Sequence, residues 1–462
     1  MMVTLADTQA LGPVATPEVA RAVIDPKSYA AWDPLLDLFD TIRAETPVLR
    51  IEAGDDSFEP FWLVTRYDDV MRISKDNAGF LNSPRPTVLT SKAGEALARA
   101  VTGGSPNLVS SLVSLDAPIH PKLRRLTQDW FMPKNLARIE AAIRELAQRT
   151  VDRLVAAGPE VDFVKVVSAP YPLHVVMQIL GVPEEDEPRM LFLTQQMFGG
   201  QDEDLNKSGV ADLPPDQLLQ IVVGAVQDFE RYFDELAKKR RATPTADVAS
   251  LLANATLDGE PLTARDLAGY YIILAAAGHD TTSASTAGAM QALSRDPAQF
   301  ARVRADRSLL PGIVEEAIRW TSPVQHFMRT AAHDTEISGV RIAAGDWVMI
   351  NYVAANHDPA QFENPRRFDA ARSPNRHLAF GAGAHQCLGL HLARLEMRIL
   401  FEALLDRIES VEPAGEAKRA SSTFVGGLKT LPLRIRGGVR WAVAETCHCQ
   451  SSVLPEISTN RL

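Results

Sequence analysis

Cysteine is scarce in this chain of 462 residues, which has three. Cys447 and Cys449 stand near the C-terminus, so Cys387 is the only thiol in the first 446 residues. A lone thiol cannot close a disulfide within that body. It is left as a buried small hydrophobe, a nucleophile or a metal ligand. Net positive charge is also lacking. The formal charge of −10 argues against a nucleic-acid partner, because domains that bind nucleic acid carry basic surfaces. No apolar run reaches the roughly 18 residues of a membrane span. Met1 to Thr8 provide neither a basic n-region nor an apolar h-region, so no signal peptide is read. These absences predict a soluble cytoplasmic protein with no membrane partner, monomeric by default. With 46% hydrophobic and 23% charged residues, the chain can bury a large core.

Cys387 lies in Phe380-Gly-Ala-Gly-Ala-His-Gln-Cys387-Leu-Gly389. The glycines let the backbone approach something flat or bulky. The segment that follows has apolar residues at 388, 392, 395, 399, 400 and 404, a helical stripe. The sulfur is therefore placed near a helix N-terminus, where free amides and the helix dipole favour a thiolate. Simple packing is the bland alternative. The spacing F-x-x-G-x-x-x-C-x-G, carried by Phe380, Gly383, Cys387 and Gly389 with His385 two residues before the thiol, resembles the haem-binding loop of the cytochrome P-450 superfamily. The resemblance covers about residues 15–436. It implies a mainly α fold with a small β-rich part, a triangular prism of helices with a long central helix over haem b. Cys387 would be the iron ligand, with Phe380, Gly381 and Ala277 against the cofactor.

Phe61 to Thr65 are expected to form a strand, and residues 82–115 a long loop with one short helix. A loop of that length is usually functional. Helices are expected around 119–131, 135–157, 172–181, 310–320 and 388–408, and strands near 334–350 and 423–436. One long helix is expected from Thr263 to Arg295. It is opened by a capping box at Thr263 and Asp266 and stopped by Asp296-Pro297. Its centre, Tyr271 to Ala277, is apolar all round and so buried. Residues 199–215 are polar and predict a surface loop. Residues 1–437 are expected to form one catalytic domain. Residues 438–462, which lack periodicity, are expected to be a disordered tail outside the fold.

Inside the long helix stands Ala277-Gly278-His279-Asp280-Thr281-Thr282. Burying Asp280 is costly unless it is paired or used. Thr281 alternatively bonds back to the carbonyl four residues earlier and bends the helix. The resemblance implies instead an acid–alcohol pair, Asp280 and Thr281, that relays protons from solvent to dioxygen. Glu316 and Arg319 share one helix face. By resemblance they are a buried structural pair, joined by Arg367 or Arg372, that holds the cysteine loop. The same resemblance makes His120, Arg124, Arg329 and His385 the cationic partners of the haem propionates, and His377 a structural hydrogen-bonder.

Ala277, Gly278, Val324, Phe327 and Phe424 are candidate walls of a substrate pocket, small or apolar as a hydrophobic substrate requires. A haem-thiolate monooxygenase of a monoterpenoid or alkyl-substituted aromatic is therefore expected, similar to soluble bacterial members that hydroxylate α-terpineol. A steroid or fatty-acid hydroxylase, a peroxygenase and a non-enzymatic haem carrier or sensor are the alternatives. No G-x-G-x-x-G unit is present, so electrons must come from elsewhere. The resemblance implies a separate ferredoxin and ferredoxin reductase, with Lys122, Arg125, Lys134 and Arg394 as candidate docking cations.

Overall fold

A computed structural model describes residues 12–198, 201–205 and 215–437. The expected tail at 438–462 and most of the expected 199–215 loop lie outside the described residues. Helices dominate. The ones that position the site are α1 (Ile119–Gln128), α2 (Pro170–Leu180), α3 (Ala264–Ala277), α4 (Asp280–Arg295), α5 (Leu310–Thr321) and α6 (Leu390–Arg407). Helix α4 packs on α5, α5 on α6, and α3 on α2. Their apolar faces merge into one large core that includes Tyr271, Met290, Ile313, Val314, Leu400 and Phe401.

The β-rich part centres on a sheet of β1 (Val48–Ile51), β2 (Phe61–Val64), β3 (Phe80–Leu81), β4 (His326–Ala331) and β5 (Trp347–Asn351), in the order β1-β2-β5-β4-β3. Only the β2–β5 pairing is parallel, with Trp347 opposite Phe61. In β4 and β5 the register sets Arg329 opposite Val348 and Phe327 opposite Ile350. Arg329 and Phe327 therefore leave the same face of the sheet, two residues apart.

The long central helix expected over Thr263–Arg295 is two helices, α3 and α4, separated by Gly278 and His279. Thr263 caps α3 through the Asp266 amide at 3.1 Å, and Asp296 ends α4. The interruption has a local cause. The Thr281 hydroxyl donates to the Ala277 carbonyl at 3.0 Å, so a side chain occupies an acceptor of the backbone ladder. Gly278 meets no room for a side chain, since a β-carbon there would stand 2.6 Å from Val176 Cγ2. The 82–115 loop contains one helix, Lys92–Thr102, and then crosses α3 at Gly269.

Candidate active site

Cys387 is held by backbone before any cofactor is considered. Its amide donates to the Phe380 carbonyl at 2.8 Å, closing the loop on itself. Gly381 and Gly383 have φ of +67° and +74°, which side chains rarely adopt, and a β-carbon on Gly383 would also lie 2.5 Å from the Ser74 carbonyl oxygen. Three residues beyond Cys387, α6 begins. Burial raises the thiol pKa, while the Gly389 amide and the charges of Arg124 and Arg394 pull it down. The site thus supplies part of what a thiolate needs, and a metal would supply the rest.

The cavity that this sulfur faces is lined by the cysteine loop, α1, α3, the start of α4, β4 and α6, and encloses about 1560 Å³ of empty space, part of it open to solvent. His120, Arg124, Arg329, Phe380, Gly381, His385, Cys387, Ala277, Gly278, Thr281, Val324 and Phe327 all line it. His120 and His385 stack with ring centroids 4.0 Å apart. His120 Nε2 is buried and without a hydrogen-bond partner. Arg329 is buried and donates to the neighbouring Met328 carbonyl at 2.8 Å. Among the described residues neither it nor Arg124 meets a carboxylate. The nearby Asp116 is occupied by Asn82 and Ser83, accepting from both amides and both side chains.

Two arginines and two imidazoles thus converge on one cavity wall with no anion among them. Burial lowers the pKa of all four, and the charges of His120 and Arg329 help to hold His385 down at about 3. Asn82 Nδ2 lies 2.9 Å from His385 Nε2. In the neutral ring that nitrogen accepts, and the proton sits on Nδ1. A dianionic ligand beside these groups would relieve an unfavourable cluster. A lone thiol at a glycine-lined loop, facing two uncompensated guanidinium groups and two buried imidazoles, fits haem with its two propionates.

Asp280 does not line the cavity. Its carboxylate lies 2.9 Å from His279 Nε2, an ion-pair contact without hydrogen-bond geometry. Burial pushes the His279 imidazole toward neutrality, but Asp280 outweighs it and raises the pKa. Asp280 is 33% exposed, so the acid spans from solvent to the interrupted helix. Thr281 faces the cavity and bonds back to Ala277, so both readings of this residue are realised in one geometry. Phe424 is not among the lining residues. It stands one layer out, 5.4 Å from the Phe327 ring.

Glu316 and Arg319 are fully buried and paired through two bonds of 2.8 Å. Arg372 completes the set, with Nε within 3.1 Å of both carboxylate oxygens, and Asn375 and the Asp369 amide also donate to them. Arg367 contributes only its carbonyl. The next residue, Glu315, takes Arg394 in two bonds and lies 3.3 Å from His377 Nε2; these partners outweigh burial and hold its pKa at about 2. Of the candidate docking cations, Lys122 is tied to Asp258 and Arg394 to Glu315, and Arg125 donates to the Pro121 carbonyl. Lys134 has no ion-pair partner among the described residues.

Several residues escaped the sequence reading. Glu396 in α6 is buried, accepts from the Thr282 hydroxyl at 3.1 Å and leaves Oε2 without a partner. Its pKa is raised well above the carboxylate range by burial. Its charge on an otherwise apolar helical stripe was the available signal. Asn82, Asp116 and His279 carried none beyond residue type.

The sequence matches the model of the cytochrome P-450 family over residues 92–435. It is 43% identical over 416 residues to cytochrome P-450-terp of a Pseudomonas species, across 90% of this chain and 97% of that protein. Linalool 8-monooxygenase of Pseudomonas putida is 33% identical across 86% of this chain and 94% of its own. The crystal structure of CYP108D1 from Novosphingobium aromaticivorans superposes with a TM-score of 0.85 at 66% identity, covering 91% of this chain and 99% of that one.

Proposed function

This chain belongs to the cytochrome P-450 family of haem-b monooxygenases, and from that premise we propose that it hydroxylates a small apolar substrate, a monoterpenoid or an alkyl-substituted benzene. Dioxygen is the co-substrate, and two electrons arrive from a separate ferredoxin and its reductase. One observation carries the substrate class. Where the cavity is walled by the long loop, α3, the segment before β4 and Phe327, the lining is Leu112, Val113, Ile273, Leu274, Ala277, Pro323, Val324 and Phe327, all apolar, while Thr281, Thr282 and Ser285 enter from α4. A pocket of this kind binds by apolar burial and offers no cation to a fatty-acid carboxylate.

When bound, haem supplies the iron at which dioxygen is activated. Cys387 would hold that iron through its sulfur, and His120, Arg124, Arg329 and His385 would hold the propionates. The Gly389 amide and the Arg124 charge stabilise the thiolate against burial. At rest the Thr281 hydroxyl donates a hydrogen bond to the Ala277 carbonyl. Turning about the Cα–Cβ bond redirects that proton into the cavity. Asp280, about one-third exposed and beside His279, then restores it from outside. The apolar wall keeps other water away from the substrate. On the opposite face Arg125 and Lys134 remain as the positive charges least engaged by acids, suited to an acidic ferredoxin.

A difference spectrum of the reduced, haem-loaded protein with carbon monoxide is expected to show the long-wavelength band of thiolate-ligated haem. Titration with monoterpenes and alkylbenzenes is expected to shift the iron spin state at micromolar concentrations. A shift obtained with a steroid or a fatty acid but with none of these would overturn the substrate class.

A further inference from the structure

His326, the first residue of β4, is completely buried. Its Nδ1 lies 2.8 Å from the Thr423 carbonyl oxygen. A carbonyl only accepts, so Nδ1 carries the proton. On the other side of the ring, Nε2 accepts from the Leu89 amide at 3.0 Å. The two partners fix a neutral ring in one tautomer, and burial keeps its pKa down at about 4. Neither the Leu89 amide nor the Thr423 carbonyl has another backbone partner among the described residues.

These two partners belong to different walls. Leu89 opens the long loop that later supplies Leu112 and Val113 to the cavity. Thr423 opens the turn that carries Phe424. Around His326 each neighbouring tie serves one wall only. The Met328 amide donates to the Thr87 carbonyl at 2.8 Å, on the loop side. The Gln325 amide donates to the Phe424 carbonyl at 2.8 Å, and Gln325 Nε2 to the Ser422 carbonyl at 2.6 Å, on the turn side. His326 alone in this set holds both. Its ring also stands 5.8 Å from Phe424, which backs Phe327 at 5.4 Å.

We propose that His326 is a positioning residue that locks the 82–115 loop to the 421–427 turn and thereby fixes the width of the substrate pocket at Phe327. The lock itself is independent of the cofactor; its effect on substrate choice rests on the haem-thiolate reading above.

Two substitutions separate the two bonds. His326→Asn keeps a donor near Nδ1, and His326→Gln keeps an acceptor near Nε2. In hydrogen–deuterium exchange, the Asn variant is expected to lose protection about tenfold in peptides covering 86–91 and to keep it in 421–427, with the Gln variant reversed. Equal loss in both peptides, or loss in neither, overturns the lock. His326→Phe keeps the ring and removes both bonds. With its carbon-monoxide band intact it is expected to bind apolar ligands about tenfold more weakly and to replace one hydroxylation product by a mixture. Unchanged affinity with an unchanged single product overturns the role in specificity. Where a variant does not fold, the wild-type protein decides. Adding a spin-shifting hydrocarbon is expected to raise protection in both peptides together, and a rise in one alone overturns the coupling. A wild-type protein without the thiolate band refutes the haem reading and leaves the exchange test of the lock standing.

Discussion

Replacing Gly269 by alanine sets two effects of known sign against each other. Gly269 lies inside α3, where the long loop crosses the helix. Helix propensity favours the substitution by about 1 kcal/mol. The added β-carbon, however, would stand 1.8 Å from the Ser110 carbonyl oxygen and 2.7 Å from its carbonyl carbon. Comfortable carbon–oxygen approach is about 3.3 Å, so the loop must retreat by about 1.5 Å or the helix must shift. Both obstacles are backbone, and no flexible side-chain end can turn aside. Overpacking costs about 1–3 kcal/mol, and an overlap this deep belongs at the upper end. The net expectation is destabilisation by about 1–2 kcal/mol. The retreat also carries Leu112 and Val113, which line the cavity two and three residues further on. Thermal unfolding of the haem-loaded variant is expected to show a melting temperature lower by a few degrees. Spin-state titration with an alkylbenzene is expected to show weaker binding. A raised melting temperature with an unchanged titration would refute the reasoning, since propensity would then have acted alone and the loop would not press on α3.

Glu316→Gln leaves the guanidinium groups of Arg319 and Arg372 without their shared counter-charge, and breaking a buried pair in this way costs about 3–5 kcal/mol. Urea unfolding showing a loss below about 1 kcal/mol would contradict the network's role. Cys387→Ala is expected to abolish the thiolate band under carbon monoxide, and a retained band would remove the assignment of that sulfur. Thr281→Ala is expected to keep the band while diverting electrons from product to hydrogen peroxide; an unchanged ratio of product to electron donor consumed would refute the relay. His357 is buried neutral, with burial the main cause of a pKa near 3. Because the folded value lies below the ordinary value of about 6.5, the unfolded chain binds the proton first. Stability is therefore expected to be full above about pH 6.5 and to fall as pH drops toward 3. His357→Phe is expected to flatten that slope in melting curves taken between pH 4 and 7, and an unaltered slope would show that other groups set it.

What the sequence revealed of the fold follows the strength of the local signal. The capping box at Thr263 and Asp266 and the stop at Asp296-Pro297 fixed the ends of the central helical stretch. Its middle was read as one helix, because periodicity runs unbroken through Gly278 and His279, yet the back-bond of Thr281 to the Ala277 carbonyl, read as one alternative, is present. The lack of space beside Val176 was not visible in a pattern of residue types. β4 was not foreseen either. His326 to Ala331 mix polar, charged and apolar residues without clean alternation, because His326 is buried between two backbone partners and Arg329 at the cavity wall, neither for reasons of hydropathy. The helix Pro215–Ala242 went unlisted for another reason: its start follows a polar stretch without a clear cap.

The site was legible through motif spacing and the resemblance it carries, and burial supplies the chemical reason such residues stand out. A thiol, two arginines and two histidines are expensive inside an apolar core, so each needs a purpose that burial alone does not give. His120, Arg124, Arg329 and His385 were named by the family resemblance, since each alone reads as a solvated surface charge, and their mutual lack of anions appears only in three dimensions. Arg329 is buried with no carboxylate, and His120 keeps an unpartnered nitrogen, while Asp116, the nearest acid, is committed to Asn82 and Ser83. Arg124 and Arg329 carry the uncompensated charge of this cluster, and they repel each other. Filling it with a dianion removes the repulsion, so cofactor binding and folding are linked through these four side chains. The same logic finds no trace of substrate. An apolar pocket is assembled from residues that any core would use, and only their failure to pack against one another, around the space between Ala277, Val324 and Phe327, marks them as functional.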